Sequence, residues 1–473
     1  MGSTALTKEQ KKVQRRETLL ESPISRAVTS MAIPSIISST VMSLYNMADT
    51  YFVSDLGTAA TAAVGVNNSL MQVVQMAGMA VGVGAASYIS RLMGARKDDK
   101  ASSVLSTAFF SAMGFGLIIM VLGLTFMRQL VDLLGATPES FQYSMDYASY
   151  ILYAAPFMTT VFVMNHCLRA EGSSTFSMIG MVSGSILNCF LDPIMIRGYF
   201  GFPAMGVAGA AAATAISKLV SFIVLISPYL LKHSALRINI KICDFSKETL
   251  LEIGRIGLPQ LTRSGLLTIS GVVTNNFAGG FSTSALAAVS VVNRLMHFIA
   301  SAIMGFGQGF QTVAGFNWGA KKYDRVNAAI KFANFSSICV SSVLALLAVL
   351  FPKQILLVFS KAGDAELLRI GTLSLITRCL VIPLHASVLV TQSLFTSIGK
   401  AKEALILSLS RQGFCLIPVV IVLTLVFKVE GLAVSQAVAD VLSFVIALPM
   451  TLKIMKEMRG MHEEQNAVAE NQQ

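Results

Sequence analysis

Long uncharged apolar runs broken by short charged segments set the pattern of this chain. Stretches such as Val104 to Met127, Phe332 to Phe351 and Gly413 to Phe427 carry almost no charge, and the hydrocarbon core of a bilayer requires roughly 20 apolar residues per helical crossing. The pattern predicts an all-α integral membrane protein of about 12 transmembrane helices, at residues 29–55, 62–92, 103–125, 143–167, 176–196, 206–231, 253–277, 286–316, 328–351, 368–394, 403–427 and 431–453. The polar stretch 232–252 divides them six and six. An N-terminal tail (1–28), an N-lobe (29–231), an inter-lobe linker (232–252), a C-lobe (253–453) and a C-terminal tail (454–473) follow. Several spans exceed the minimum length, as tilted or bent helices do, and Pro34, Pro156, Pro193, Pro259, Pro383 and Pro418 offer kinks.

The two sets of six repeat each other at a shift of about 225 residues. Ala62-Ala-Val-Gly-Val-Asn-Asn-Ser-Leu-Met71 stands against Ala287-Ala-Val-Ser-Val-Val-Asn-Arg-Leu-Met296. At the same shift Pro34 meets Pro259, Gly82 and Gly84 meet Gly307 and Gly309, and Gly94-Ala95 meets Gly319-Ala320. A repeat unit with an even number of spans keeps its orientation, so the halves relate by an axis along the membrane normal. The expectation is two pseudo-symmetric six-helix bundles around a central cleft. Two bundles that rock against each other give alternating access, which a transporter needs.

Composition agrees: 54% of residues are apolar and only 13% charged, with a mean hydropathy of +0.67, too apolar for an ordinary soluble domain. The net charge of +11 sits in alternate loops, as membrane topology dictates, and is no argument for nucleic acid. Lys and Arg crowd the N-terminus, residues 91–100, 232–247, 321–331, 400–402 and 453–459, and both termini are therefore expected in the cytoplasm. The polar N-terminus lacks a secretory signal. Six scattered cysteines show no CxxC pairing, so neither a disulfide framework nor a zinc site is expected. A GxxxxGK[ST] phosphate loop is absent, as are HExxH and GxSxG patterns, so ATP hydrolysis and membrane-enzyme readings have no chemistry behind them. The Gly-rich runs from Gly82 and Gly305 sit inside spans and read as helix packing. No enzyme activity and no cofactor is expected.

An ionised carboxylate deep in lipid costs several kcal/mol, so each intramembrane Asp is a functional candidate. Asp49, Asp192 and Asp440 are three such residues. The spacing of four between Asn188 and Asp192 puts an amide and a carboxylate on one helical face. Together they could ligate Na⁺ through oxygen or hold a proton with a raised pKa. Asp49 could instead cap a helix end, and Asp192, just before Pro193, could satisfy freed backbone donors.

The chain resembles the multidrug and toxic compound extrusion (MATE) transporters over essentially every span, in their bacterial branch. The resemblance is carried by Asn46-Met-Ala-Asp-Thr-Tyr-Phe-Val53, Leu168-Arg-Ala-Glu-Gly172, Leu187-Asn-Cys-Phe-Leu-Asp-Pro193, Gly206-Val-Ala-Gly209 with Ala213-Thr214, and Gly315-Phe-Asn-Trp-Gly-Ala320. It implies twelve helices in two lobes, residence in the bacterial plasma membrane as a monomer, and export of lipophilic, mainly cationic drugs in exchange for H⁺ or Na⁺. By resemblance Asp49, Asn188, Asp192 and Thr214 match the N-lobe cation site, with Asn46 beside it. Sodium at those four residues is the one metal that the pattern offers.

The sequence also departs from the family. Where some members carry a Glu in the seventh span and an Asp in the tenth, this chain reads Leu258-Pro-Gln-Leu-Thr-Arg-Ser-Gly265 and Leu384-His-Ala-Ser-Val388, without a carboxylate. Coupling through the N-lobe is favoured, and Tyr45, Gln260, Arg263, Asn275 and His385 are candidate cavity-lining residues. Asp440 occupies a place in the second half like that of Thr214 in the first. Lys218 lies one turn after Thr214 on the same face; its ammonium could compete with Na⁺ and bias coupling toward H⁺, or its stem could snorkel to an interface. The alternative function is a flippase for lipid-linked saccharides or peptidoglycan precursor, whose anionic cargo would call on Arg263, Arg294, Arg378 and Arg411.

Overall fold

The computed structural model describes residues 8–54, 57–359 and 364–470, with backbone alone for 8–12, 46–51, 53, 54, 58, 358, 359 and 469. Every regular element among the described residues is helical. In chain order the N-terminal half comprises α1 (Lys8–Leu20), α2 (Ile24–Ser54), α3 (Thr58–Gly94), α4 (Asp98–Thr125), α5 (Met127–Leu133), α6 (Phe141–Ala170), α7 (Ser174–Arg197) and α8 (Val207–Leu230). The C-terminal half comprises α9 (Lys247–Phe281), α10 (Thr283–Gly319), α11 (Tyr323–Leu350), α12 (Pro352–Phe359), α13 (Ala365–Ile398), α14 (Ala401–Leu409) and α15 (Leu416–Glu470).

Among the described residues ten helical stretches are long and apolar enough to cross a bilayer. The last, Ala401–Val468, runs 68 residues and reverses at Lys428, whose φ of 52° and ψ of −131° lie outside the helical region, so it holds two crossings. The remaining long helix, α9, has Arg263 as its one charged residue between Ile256 and Phe281 and is less apolar than the others because of its polar and glycine residues. Twelve crossings result. Leu117, Ile118, Val121 and Leu122 on α4, and Val343, Leu346, Leu347 and Leu350 on α11, are exposed, an apolar face that only lipid can solvate.

The repeat is visible in helix boundaries. Thr58–Gly94 and Thr283–Gly319 are related by 225 positions at both ends, and so are Asp98–Thr125 and Tyr323–Leu350. The register then changes. Between α7 and α8 the chain makes a short loop, while the C-lobe turns directly at Lys428; Gly206, before α8, has φ 55° and ψ −126°, the same conformation as Lys428. The two reversals are 222 positions apart.

The lobes meet at one end. A Cβ on Gly84 would lie 2.1 Å from the Ile253 carbonyl oxygen, and one on Gly319 would lie 1.9 Å from that of Arg91; only glycine lets these backbones touch. Around them Arg91 pairs with Glu252 at 2.6 Å, Ser87 donates to the Thr396 carbonyl, and Thr312 donates to the Arg169 carbonyl at 3.2 Å. Arg91, Ser87 and Arg169 thus tie the two lobes together at this end.

The N-terminal segment is more than a polar tail. Helix α1 buries Leu19 and Leu20 and bridges the lobes, with Arg16 paired to Asp98 at 2.8 Å and the Leu19 carbonyl accepting from Asn317 at 3.1 Å. The inter-lobe segment is held too: the backbone amides of Arg237, Asn239 and Asp244 donate to Ser102, Ser106 and Thr107 on α4. At the chain's other end α15 continues past residue 453, burying Ile454 and Met458, and Lys400 pairs with Glu457 at 2.6 Å. Both terminal segments and the inter-lobe segment therefore lie at the closed end.

Candidate functional site

Within the N-lobe, α7 and α8 each present two polar residues one turn apart: Asn188 and Asp192, then Thr214 and Lys218. The helices bring them together. Asn188 Nδ2 donates to Thr214 Oγ1 at 3.3 Å, and Asp192 and Thr214 are both 0% exposed. Lys218 is buried as well, with its Nζ 5.3 Å from the centroid of the Tyr45 ring on α2. An ammonium over a ring face gains electrostatic attraction that grows as water is removed. The Lys218 stem thus stays in the bundle rather than reaching an interface. Asp49 follows Tyr45 by one turn on α2; the side chains of Asn46 and Asp49 lie outside those described. Tyr45 belongs to this cluster rather than to an open cavity.

The C-lobe carries a second polar centre. Asp440 Oδ1 accepts from Arg411 Nε at 2.7 Å and from Gln436 Nε2 at 3.2 Å. Arg411 sits in a π-helical turn, Ser410–Cys415, an irregularity that recurs at functional sites because it re-aims side chains. Beside this pair Arg378 Nη1 donates to Asn293 Oδ1 at 2.7 Å. Arg378, His385, Arg411 and Asp440 line a cavity of about 300 Å³.

Asn275 is exposed, and its neighbour Thr274 lines the C-lobe cavity. One expectation needs correction here. Asp440 is not the counterpart of Thr214. The shift of 222 set by Gly206 and Lys428 places Gln436 opposite Thr214 and Asp440 opposite Lys218. The signal was present in Gly206-Val-Ala-Gly209 against Lys428-Val-Glu-Gly431, and in Ser221-Phe222 against Ser443-Phe444.

Between the lobes, Gln260 and Arg263 line a smaller cavity of about 60 Å³ together with His166, Gln308 and Gln311. Sequence reasoning missed the buried network behind it. Arg169 Nη1 donates to Asn165 Oδ1, and Arg169 Nη2 lies 2.9 Å from His166 Nδ1. The Leu168-Arg-Ala-Glu-Gly172 run was readable as a motif, but its Arg lies just past the expected span 143–167 and nothing in the spacing marked it as buried.

No group of three or more His, Cys, Asp or Glu able to hold a metal ion occurs among the described residues. Two polar centres, one per lobe, thus lie inside the helix bundles.

The MatE family model matches residues 34–194 and 259–422. The two matched blocks open on Pro34 and Pro259, the pair that the repeat superposes, and together span about two thirds of the chain. The chain belongs to the MATE family. Similar MATE proteins include the Multidrug export protein MepA of Staphylococcus aureus (strain MSSA476), 29% identical over 429 residues that cover 90% of this chain and 93% of that protein. The Multidrug export protein MepA of Staphylococcus haemolyticus (strain JCSC1435) matches with the same identity and coverage. Among solved structures, one described as the outward-facing conformation of a multidrug resistance MATE family transporter superposes with a TM-score of 0.88 at 24% identity, covering 93% of this chain and 98% of that one. That likeness speaks to the fold. As a MATE protein the chain is a multi-pass membrane carrier.

Proposed function

We propose that this MATE protein is a secondary active multidrug efflux antiporter, exporting lipophilic, mainly cationic compounds in exchange for H⁺ or Na⁺ by alternating access. The observation that carries the reading is the N-lobe cluster. A fully buried carboxylate, Asp192, sits beside the Asn188–Thr214 hydrogen bond, at a depth where an ionised group is costly and its protonation or cation contacts carry weight. Discharging and recharging such a group gives the ion a grip on the conformational equilibrium, since a ligand shifts an equilibrium by its difference in affinity for the two states. The names of the staphylococcal relatives support drugs as the cargo.

Lys218 favours H⁺ over Na⁺ in this scheme. An ammonium already inside the cluster competes electrostatically with a metal cation, whereas a proton can be passed to a carboxylate without needing a vacant coordination shell. The closed end bears Arg16, Arg91 and Lys400 in inter-element ion pairs, and a cytoplasmic placement of that end, with both termini, satisfies the positive-inside rule in a bacterial plasma membrane. The carrier acts as a monomer, with one lobe on either side of residues 232–252.

Ethidium efflux from proteoliposomes, with pH and Na⁺ gradients imposed separately, tests the proposal. A proton gradient should drive efflux, and Asp192→Asn should abolish it. Undiminished efflux by that variant would overturn the coupling assignment.

A further inference from the structure

The C-lobe cavity has the wrong charge for a second cation site. Among the described residues lining it, Arg378 and Arg411 face a single carboxylate, Asp440, and Asp440 already accepts from Arg411 and Gln436. Beside the cavity Arg378 Nε and His385 Nδ1 are buried without a hydrogen-bond partner among the described residues, so the carboxylate of Asp440 does not neutralise the donors gathered there.

From this we infer that the C-lobe cavity is an oxoanion site that takes the carboxylate or phosphate group of a small aromatic or amphiphilic cargo. A guanidinium presents a planar fork of N–H donors that matches two oxygens of such a group. Arg378 lines the cavity with its Nη1 held by Asn293 Oδ1, which leaves Nη2 for the ligand. Arg411 also lines the cavity and is held through Nε by Asp440 at 2.7 Å, which leaves its Nη groups for the ligand. Net positive charge inside a low-dielectric bundle concentrates anions there. About 300 Å³ of space suits a single aromatic ring bearing one acidic group, and Met296, Ile382 and Leu416 supply apolar wall. The two lobes would then divide labour, the N-lobe handling cations and the C-lobe the anionic end of the cargo.

Isothermal titration calorimetry of the purified full-length protein in detergent tests this without transport, and so independently of the antiport reading. Benzoate and phenyl phosphate are the anionic probes and benzylamine is the cationic control. Benzoate or phenyl phosphate should bind saturably, one per chain, with at least a tenfold loss of affinity in Arg378→Gln and a smaller loss in Arg378→Lys, which keeps charge but not the fork. Because Arg411→Gln alone would strand a buried carboxylate, the second variant is Arg411→Gln/Asp440→Asn, and it too should weaken binding at least tenfold. Tighter binding of phenyl phosphate assigns phosphate as the preferred group, and tighter binding of benzoate assigns carboxylate. Absence of saturable anion binding, anion affinity unchanged in Arg378→Gln, or preference for benzylamine would overturn the inference.

Discussion

Lys218 in the N-lobe and Asp440 in the C-lobe occupy the same position in the repeat with opposite charge. The shift of 222 residues that carries Gly206 onto Lys428 carries one onto the other. Each is buried, and each faces a counterpart from a neighbouring helix, Lys218 over the Tyr45 ring and Asp440 against Arg411. A duplicated fold has thus been given two centres of inverted polarity. If Lys218 guards the N-lobe carboxylates against Na⁺, then Lys218→Ala should let an imposed Na⁺ gradient drive ethidium efflux. The same ion dependence as the unmodified protein would remove that role.

The pair Arg411 and Asp440 makes a second expectation. Breaking a buried pair strands a charge and costs about 3–5 kcal/mol, whereas replacing both members by apolar residues is often neutral. Arg411 is partly exposed, so the cost for Asp440→Asn is reduced to about 2 kcal/mol. Asp440→Asn should lower the melting temperature in detergent by several degrees, and Arg411→Met/Asp440→Leu should recover more than half of the loss. A double variant no better than the single would mean the pair itself stabilises the lobe.

How much of this was legible beforehand depends on which part of the repeat is considered. Through the second and third crossings of each lobe the offset stays at 225, as it does between Pro34 and Pro259 in the first, so the spans, the six-and-six division and the Gly84 and Gly309 correspondence could be read by eye. The offset then drifts, because one lobe joins its last two crossings by a loop at 198–205 and the other by a single reversing residue. Read at 225, Asp440 falls next to Thr214; read at 222, it falls on Lys218. Helical spacing placed Asn188 with Asp192 and Thr214 with Lys218, while only the family resemblance implied that the two helices bring Asn188 to Thr214; the inward turn of Arg411 was legible in neither, since a π-helical turn leaves no simple periodicity in the sequence.

At the closed end the prediction is steric. With 2.1 Å between a Cβ on Gly84 and the Ile253 carbonyl, Gly84→Val cannot be absorbed by a side-chain rotation, because the obstacle is backbone. The lobes must part. Spin labels placed on the exposed Lys97 and Lys402, one per lobe at that end, should show a longer mean distance in the Gly84→Val background by double electron–electron resonance. An unchanged distance distribution would mean that Gly84 does not hold the lobes together.

Glu171, in the turn between α6 and α7, gives a pH dependence whose sign can be worked out. Burial pushes its carboxyl above the ordinary range, while hydrogen bonds from Ser234 and Ser173 and the charge of Arg15 only partly offset this. Arg15 Nη1 is 4.0 Å away and the carboxylate is wholly buried. A carboxyl with a raised folded-state pKa binds its proton more tightly in the native protein, so its stabilisation is complete below the ordinary carboxylate pKa and is lost as pH rises through the elevated value. Glu171→Gln resembles the protonated form at every pH. Its melting temperature should match that of the unmodified protein near pH 4 and exceed it at pH 8 by about 2 °C, on the order of 1 kcal/mol in a protein of this size. Differential scanning fluorimetry in one detergent across that range provides the measurement. A gap that shrinks toward alkaline pH would show that Arg15, rather than burial, dominates the environment of Glu171, and that ionised Glu171 anchors α1 across the two lobes.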